Sequence, residues 1–154
     1  MGSGKGGIIR GNAKKMADME NYENAEGLEM SWATEAMGFA DRHWDLLTGL
    51  QDAKKMKVTS ADAELYAAFR AAFPDLNVNV IDEEQMKSKE GKAKWRAFLD
   101  GFVKRYVEDD FNFGTLLRVD SSGKYEESNT TLVPRGQFYV IEIARNLEGF
   151  NVEL

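Results

Sequence analysis

The sequence predicts an α+β domain in which about four main helices pack on a small antiparallel sheet or hairpin. Three observations predict it. Apolar residues recur at spacings of three and four over several long stretches, which is the helical period. Two short β-prone runs flank the turn-forming sequence Ser121-Ser122-Gly123. The chain has 154 residues, with nine Phe, five Tyr and three Trp, and a domain of about 150 residues buries roughly 70% of the surface its unfolded chain exposes.

Residues 1–23 are set apart as a flexible N-terminal extension or leader, because residues 1–15 are rich in Gly and Lys. Residues 24–154 are read as a single globular domain. From Asn24 to about Leu50, Met30, Ala33, Met37, Ala40, Trp44 and Leu47 form an amphipathic helical stripe, Trp32, Ala36 and Phe39 widen its apolar arc, and Gly49 lies near its end. Thr59 or Ser60 is placed to cap a second helix, with Asp62 in its first turn; Leu65, Ala68, Phe69 and Ala72 form its buried face, and Pro74 stops it. Leu76, Val78 and Val80 alternate with Asn77 and Asn79, the pattern of a short strand. Asp82 then caps a helical turn through Met86. A third long helix carries Trp95, Phe98, Leu99, Phe102, Val103 and Tyr106 on one side, with Lys87, Lys89, Lys92 and Lys94 solvated at its start. Thr115 to Asp120 reads as a strand and Thr130 to Val133 as its antiparallel return. The apolar run Phe138 to Ile143 fits either a buried strand or a helix. Pro134 as a first-turn residue and Gly149 as a stop favour helix, as does the spacing of Val140, Ile143, Ala144 and Leu147.

Charge and composition narrow the function. The net charge is −6, and residues 1–15 contain Lys5, Arg10, Lys14 and Lys15 but no acid, so residues 16–154 carry −10. So acidic a body is repelled by phosphate backbones, which argues against nucleic acid and anionic membranes as partners and for a basic protein. With no cysteine, thiolate nucleophiles, disulfides and the common zinc fingers are excluded. No apolar run approaches the roughly 20 residues of a membrane span, and no secretory signal is visible. The chain is read as cytoplasmic.

No set of residues in the sequence spells out catalysis. Gly2 to Gly7 contains a lysine among glycines, but Lys5 precedes Gly6, not the hydroxyl that a phosphate loop needs for magnesium, and no strand leads into it. His43 is the lone histidine. Its neighbours Asp41 and Asp45 do not share its helix face, so it reads as a partly exposed helix residue. Glu108, Asp109 and Asp110 form an acidic triplet before Phe111 and Phe113, more suited to a solvated helix end or a contact surface for a basic partner than to a metal loop. Glu142 interrupts an apolar run and, if buried, needs an ion partner: Arg145 one turn away, or Arg118 or Arg135 through the fold. Asn129-Thr130-Thr131 matches the glycosylation pattern and is expected to stay unmodified without a secretory route. Leu132-Val133-Pro134-Arg135-Gly136 matches a protease site used in expression tags, but its place between strand and helix marks it as native. No cofactor, metal or catalytic residue is expected.

Two stretches carry more than periodicity. One runs Glu108-Asp109-Asp110-Phe111-Asn112-Phe113-Gly114-Thr115-Leu116-Leu117-Arg118-Val119-Asp120. The other joins Val133-Pro134-Arg135 and Gln137-Phe138-Tyr139-Val140-Ile141-Glu142-Ile143-Ala144-Arg145-Asn146 to Glu148-Gly149-Phe150-Asn151. With Glu29-Met30-Ser31-Trp32-Ala33 and Gly91-Lys92-Ala93-Lys94-Trp95-Arg96, they resemble the eukaryotic family of polysaccharide biosynthesis domain-containing proteins over roughly residues 24–151. Gly136, Leu147 and the extra acid in Glu108-Asp109-Asp110 depart from the family pattern. The family's name implies an enzyme or accessory protein of polysaccharide biosynthesis. The resemblance also implies a dedicated cytosolic chaperone of newly made translation elongation factor 1-alpha, which engages its GTP-binding domain alongside the nascent polypeptide-associated complex. A generic protein-interaction adaptor is the third reading. The expected contact surface is Glu108, Asp109, Asp110, Phe111 and Phe113 with Arg118, Arg135 and Arg145. The same residues admit a structural role, with the phenylalanines in the core and the arginines paired to internal acids.

Overall fold

The computed structural model describes residues 30–49, 56–107, 112–151 and 154, and side chains from Thr34 onward. The order of elements is α1 (Met30–Gly49), α2 (Asp62–Ala72), the single turn α3 (Glu83–Met86), α4 (Lys89–Gly101), a 3-10 turn (Val103–Arg105), β1 (Gly114–Arg118), β2 (Thr130–Pro134) and α5 (Arg135–Glu148). The predicted α+β class with four main helices is the class found. The segments 1–29, 50–55 and 108–111 lie outside the described residues, so the leader and the expected helix start at Asn24 do too.

α5 is the axis of the fold. Pro134 precedes it with φ −62, a value already helical, and Gly149 closes it at φ 86, a left-handed conformation that glycine adopts without a Cβ clash. Its Phe138, Val140, Ile141, Ile143 and Ala144 are all buried. They meet α2 on one side and β1, β2 and α4 on others. Burial on nearly every side is why this segment also reads as a buried strand. The core continues through Leu65 and Phe69 of α2, Trp95 and Leu99 of α4, Leu117 of β1 and Val133 of β2. Phe73 stacks on Trp95 with ring centroids 4.4 Å apart. At the edge, Arg70 grips Glu148 through two hydrogen bonds of 2.8 Å, and Tyr66 donates a third, tying α2 to the end of α5.

Several expectations need correction. Leu76 to Val80 is not a strand. Asn77 Oδ1 accepts from the backbone N–H of Asn79 and Val80, a local turn that competes with ladder bonding, and only an isolated bridge joins Val80 to Asp120. Neither Thr59 nor Ser60 caps α2. The Asp62 carboxylate instead reaches back to accept from Val58 N–H, Thr59 N–H and the Thr59 hydroxyl. Asp82 and Ser88 do cap α3 and α4 as N-terminal acceptors. α4 ends at Gly101, short of the predicted Tyr106. The buried face of α1 is Ala36, Ala40, His43 and Leu47; Ala36, Ala40 and Leu47 lie in the predicted arc, whereas Met37 is 59% exposed and His43 takes a buried place.

β1 and β2 pair antiparallel with Leu116 opposite Leu132 and Gly114 opposite Pro134. No helix among the described residues is long and apolar enough to cross a membrane.

Candidate functional site

Under α1 lies a set of ionised side chains with no exposed area: Arg118 of β1, and Glu142 and Arg145 of α5. Glu142 and Arg145 are one turn apart, so their side chains lie on the same face, and Arg145 Nη1 stands 3.0 Å from Glu142 Oε2. Arg118 Nη2 approaches the other carboxylate oxygen at 3.5 Å, and Asn151 Nδ2 donates to that oxygen at 3.0 Å. Backbone carbonyls absorb the second positive charge. Arg118 Nη1 donates to Ser121 O and Gly123 O. Arg145 donates from Nε to Val78 O at 2.6 Å and from Nη2 to Arg118 O at 2.8 Å. Two arginines thereby pin the 76–81 segment, the 121–123 turn and the chain after α5 to one point.

The electrostatics follow from this arrangement. Burial by itself pushes the Glu142 carboxyl up, but Arg145 and its neighbours outweigh it and hold the group at about 2. Glu142 is therefore ionised at neutral pH and is no proton donor. His43 is buried, not partly exposed as expected: its Nδ1 lies 2.8 Å from the Tyr125 hydroxyl and its Nε2 lies 3.7 Å from Glu142 Oε1. Desolvation lowers its pKa despite the nearby carboxylate, so the ring is neutral at pH 7. Burial pushes the Tyr125 phenol up. This is a structural network, and its members lack the access a reactant needs.

The candidate contact residues therefore divide. Arg118 and Arg145 are interior, which corrects their expected place on a surface; their pairing with Glu142 is the structural role. Glu108, Asp109, Asp110 and Phe111 lie outside the described residues. Phe113 and Arg135 are half-buried and adjoining. The Arg135 guanidinium sits 4.4 Å from the Phe39 ring centroid and 5.6 Å from that of Phe113, and its Nε donates to Thr115 Oγ1 at 3.2 Å. This stack of two rings on a cation joins α1 to the start of β1 and of α5.

A second feature escaped the sequence reading. Between α4, β2 and α5 opens a cleft of about 250 Å³ whose walls include Trp95, Leu99, Leu132, Val133 and Pro134, with Gln137 among them. Residues of α3, α4, β2 and α5 build it, so no single stretch announces it. The one local signal is the spacing of Lys92, Trp95, Arg96 and Leu99, which places cations beside an aromatic wall. Among the described residues no group of three or more His, Cys, Asp or Glu is placed to hold a metal ion.

Comparison with known proteins follows the same geometry. The family model for the PBDC1 protein matches residues 28–154. Protein PBDC1 of Mus musculus is 44% identical over 132 residues, covering 86% of this chain and 65% of the mouse protein. The Homo sapiens protein gives 44% over 132 residues and is covered to 55% of its length. The Schizosaccharomyces pombe homolog is 41% identical over 138 residues, 87% of this chain and 92% of the yeast protein. The solution NMR structure of protein yst0336 from Saccharomyces cerevisiae superposes with a TM-score of 0.71 at 40% identity, covering 85% of this chain and 92% of that one. The chain thus spans 65% of the mouse and 55% of the human relative, and nearly all of the fission-yeast one.

Proposed function

The chain belongs to the PBDC1 protein family, and from that premise we propose that it is a cytoplasmic, non-catalytic chaperone for one client, the newly made GTP-binding domain of translation elongation factor 1-alpha. The nascent polypeptide-associated complex is its companion in this reading. A nascent GTPase domain exposes apolar parallel-sheet surface before its helices cover it, and such surface aggregates. A binder that prefers the incomplete client shields it without ATP and leaves when nucleotide completes the fold. The net charge of −6 favours encounter with a basic client.

The observation that supports binding over chemistry is where the ionisable groups are committed. Arg118 and Arg145 are committed inside the fold to Glu142 and to backbone carbonyls, and the half-buried Phe39–Arg135–Phe113 stack offers an apolar and cationic face of the kind that anchors interfaces. Crosslinking on translating ribosomes, followed by identification of the trapped nascent chains, tests the reading. Elongation factor 1-alpha should dominate, and Arg135→Glu should reduce its capture about tenfold, the effect of a residue contributing about 1.4 kcal/mol. A spread of unrelated nascent chains would replace the proposal with a general adaptor. Stoichiometric calorimetric binding of nucleotide sugars would replace it with polysaccharide chemistry.

A further inference from the structure

We propose that His43 is an acid-sensitive latch: protonating its ring releases α1 from the body of the fold, while the core beneath stays closed. The latch is a property of the fold and does not depend on the client named above.

Among the described residues, His43 is the one titratable group on the buried face of α1. The groups that face it are Glu142 and Arg145 of α5, Arg118 of β1 and Tyr125 of the β1–β2 connection, with the Phe138 ring edge-on at 5.1 Å. The charged residues beside it on α1, Asp41, Arg42 and Asp45, are exposed and screened by solvent. One carboxylate therefore answers two guanidiniums. Its Oε2 takes Arg145, and its Oε1 takes Arg118 and Asn151. An imidazolium would be a third cation on one anion, in a place closed to water. The hydrogen bonds agree with the charges. Nδ1 lies 2.8 Å from the Tyr125 hydroxyl. Nε2 is buried with no hydrogen-bond partner among the described residues, and Glu142 Oε1 at 3.7 Å is beyond reach of one. A neutral ring has one N–H and one lone pair, whereas the imidazolium has two N–H groups, and the one on Nε2 has no acceptor here. Burial leads in lowering the ring's pKa; Glu142 opposes it and the two arginines add to it.

Protonation acts on α1 because α1 is the separable part. Its buried apolar residues are Ala36, Ala40 and Leu47, and none belongs to the large cluster around α5. Its other ties to the body include the ring contacts of Phe39 and Trp44. Lifting α1 hydrates the His43 ring and restores its ordinary 6.5. The open form therefore binds the proton more readily than the docked one. Docking is full above 6.5 and weakens as pH falls below it, by at most about tenfold per pH unit. Release carries Phe39 away from Phe138 and Arg135, so acid also takes apart the face formed by that stack.

The chain has no cysteine, so a single introduced thiol reports opening. Ala40 on α1 is 3% exposed and Ala144 on α5 is 0% exposed. In the full chain, the labelling rate of Ala40→Cys with a pyridyl disulfide is divided, at each pH, by that of the same chain unfolded in urea. This ratio should rise at least about threefold from about pH 7.5 to about pH 5.5. Ala144→Cys should stay at least about tenfold slower than Ala40→Cys at both, because it opens only with the core. Adding His43→Gln to Ala40→Cys should abolish the rise. If the thiol variants fail to fold, amide hydrogen exchange across α1 and α5 of the unaltered chain reads the same two quantities. A ratio indifferent to pH, a rise that survives His43→Gln, or equal opening of α1 and α5 each overturn the proposal.

Discussion

Glu142 is one carboxylate between two arginines, and removing its charge leaves both cations buried without an ion partner. Breaking a buried pair from one side costs about 3–5 kcal/mol, because the uncompensated charge remains. Glu142→Gln, which keeps the shape, is expected to lower the unfolding free energy by about that amount in urea titration, with an unchanged slope. A loss below about 1 kcal/mol would show that the backbone carbonyls around Arg118 and Arg145 suffice. The pH dependence carries the same sign from two sources. The folded pKa of Glu142, about 2, lies below its ordinary 4.5, so the unfolded chain binds the proton more readily. The stabilisation is full above 4.5 and is lost as pH falls toward 2. His43 is likewise lowered, from 6.5. The unfolded state gains its proton first, and stability begins to fall as pH drops through 6.5. The urea midpoint should thus decline in two limbs on acidification, and His43→Gln should erase the upper limb alone. A midpoint flat between pH 7 and 5 would contradict the placement of His43.

At the scale of elements, two glycines that look alike in sequence carry opposite constraints. A Cβ on Gly91 would collide with Gln85 O and stand 2.8 Å from Met86 O, backbone atoms that cannot swing aside, because α3 folds back onto the first turn of α4. A Cβ on Gly101, at the end of α4, meets nothing within 4 Å. Alanine ordinarily stabilises a helix by up to about 1 kcal/mol over glycine. Gly101→Ala should therefore raise the melting temperature slightly, whereas Gly91→Ala should destabilise by about 1–3 kcal/mol, the cost of overpacking. Equal gains from both would refute the close approach of α3 to α4. Periodicity and punctuation made the helices readable: Pro74, Pro134 and Gly149 end or begin elements where expected. The pairing of Glu142 with arginine was also readable, since an acid inside an apolar run demands a cation, and Arg145 was one turn away. The unread parts depend on distance in sequence. His43 is buried by Tyr125, 82 residues on; Asn77 dissolves an apparent strand through its own side chain; and the cleft exists only where α4, β2 and α5 meet.

Across the whole molecule, the core closes without α1. The buried residues of the main apolar cluster run from Ala61 to Ala144, and none belongs to α1. α1 buries only the smaller apolar set Ala36, Ala40 and Leu47, and otherwise leans on that body through rings and cations. Phe39 meets Phe138 edge-on at 5.4 Å and lies under Arg135, His43 meets Phe138 at 5.1 Å, and Trp44 faces the Arg118 guanidinium at 5.6 Å. Such contacts contribute about 0.5–2 kcal/mol each, against the larger continuous apolar burial around α5. Proteins open in units whose free energies track that burial. In amide hydrogen exchange on the full chain, α1 is therefore expected to open at a free energy about 2 kcal/mol or more below that of α5. Trp44→Ala should speed exchange across α1 and leave the slowest amides of α5, near Ile141 and Ile143, unchanged. If the slowest amides of α1 and α5 instead exchange together at the global unfolding free energy, and Trp44→Ala accelerates both, then α1 is part of one cooperative core and its ring–cation contacts are as binding as the apolar cluster beneath them.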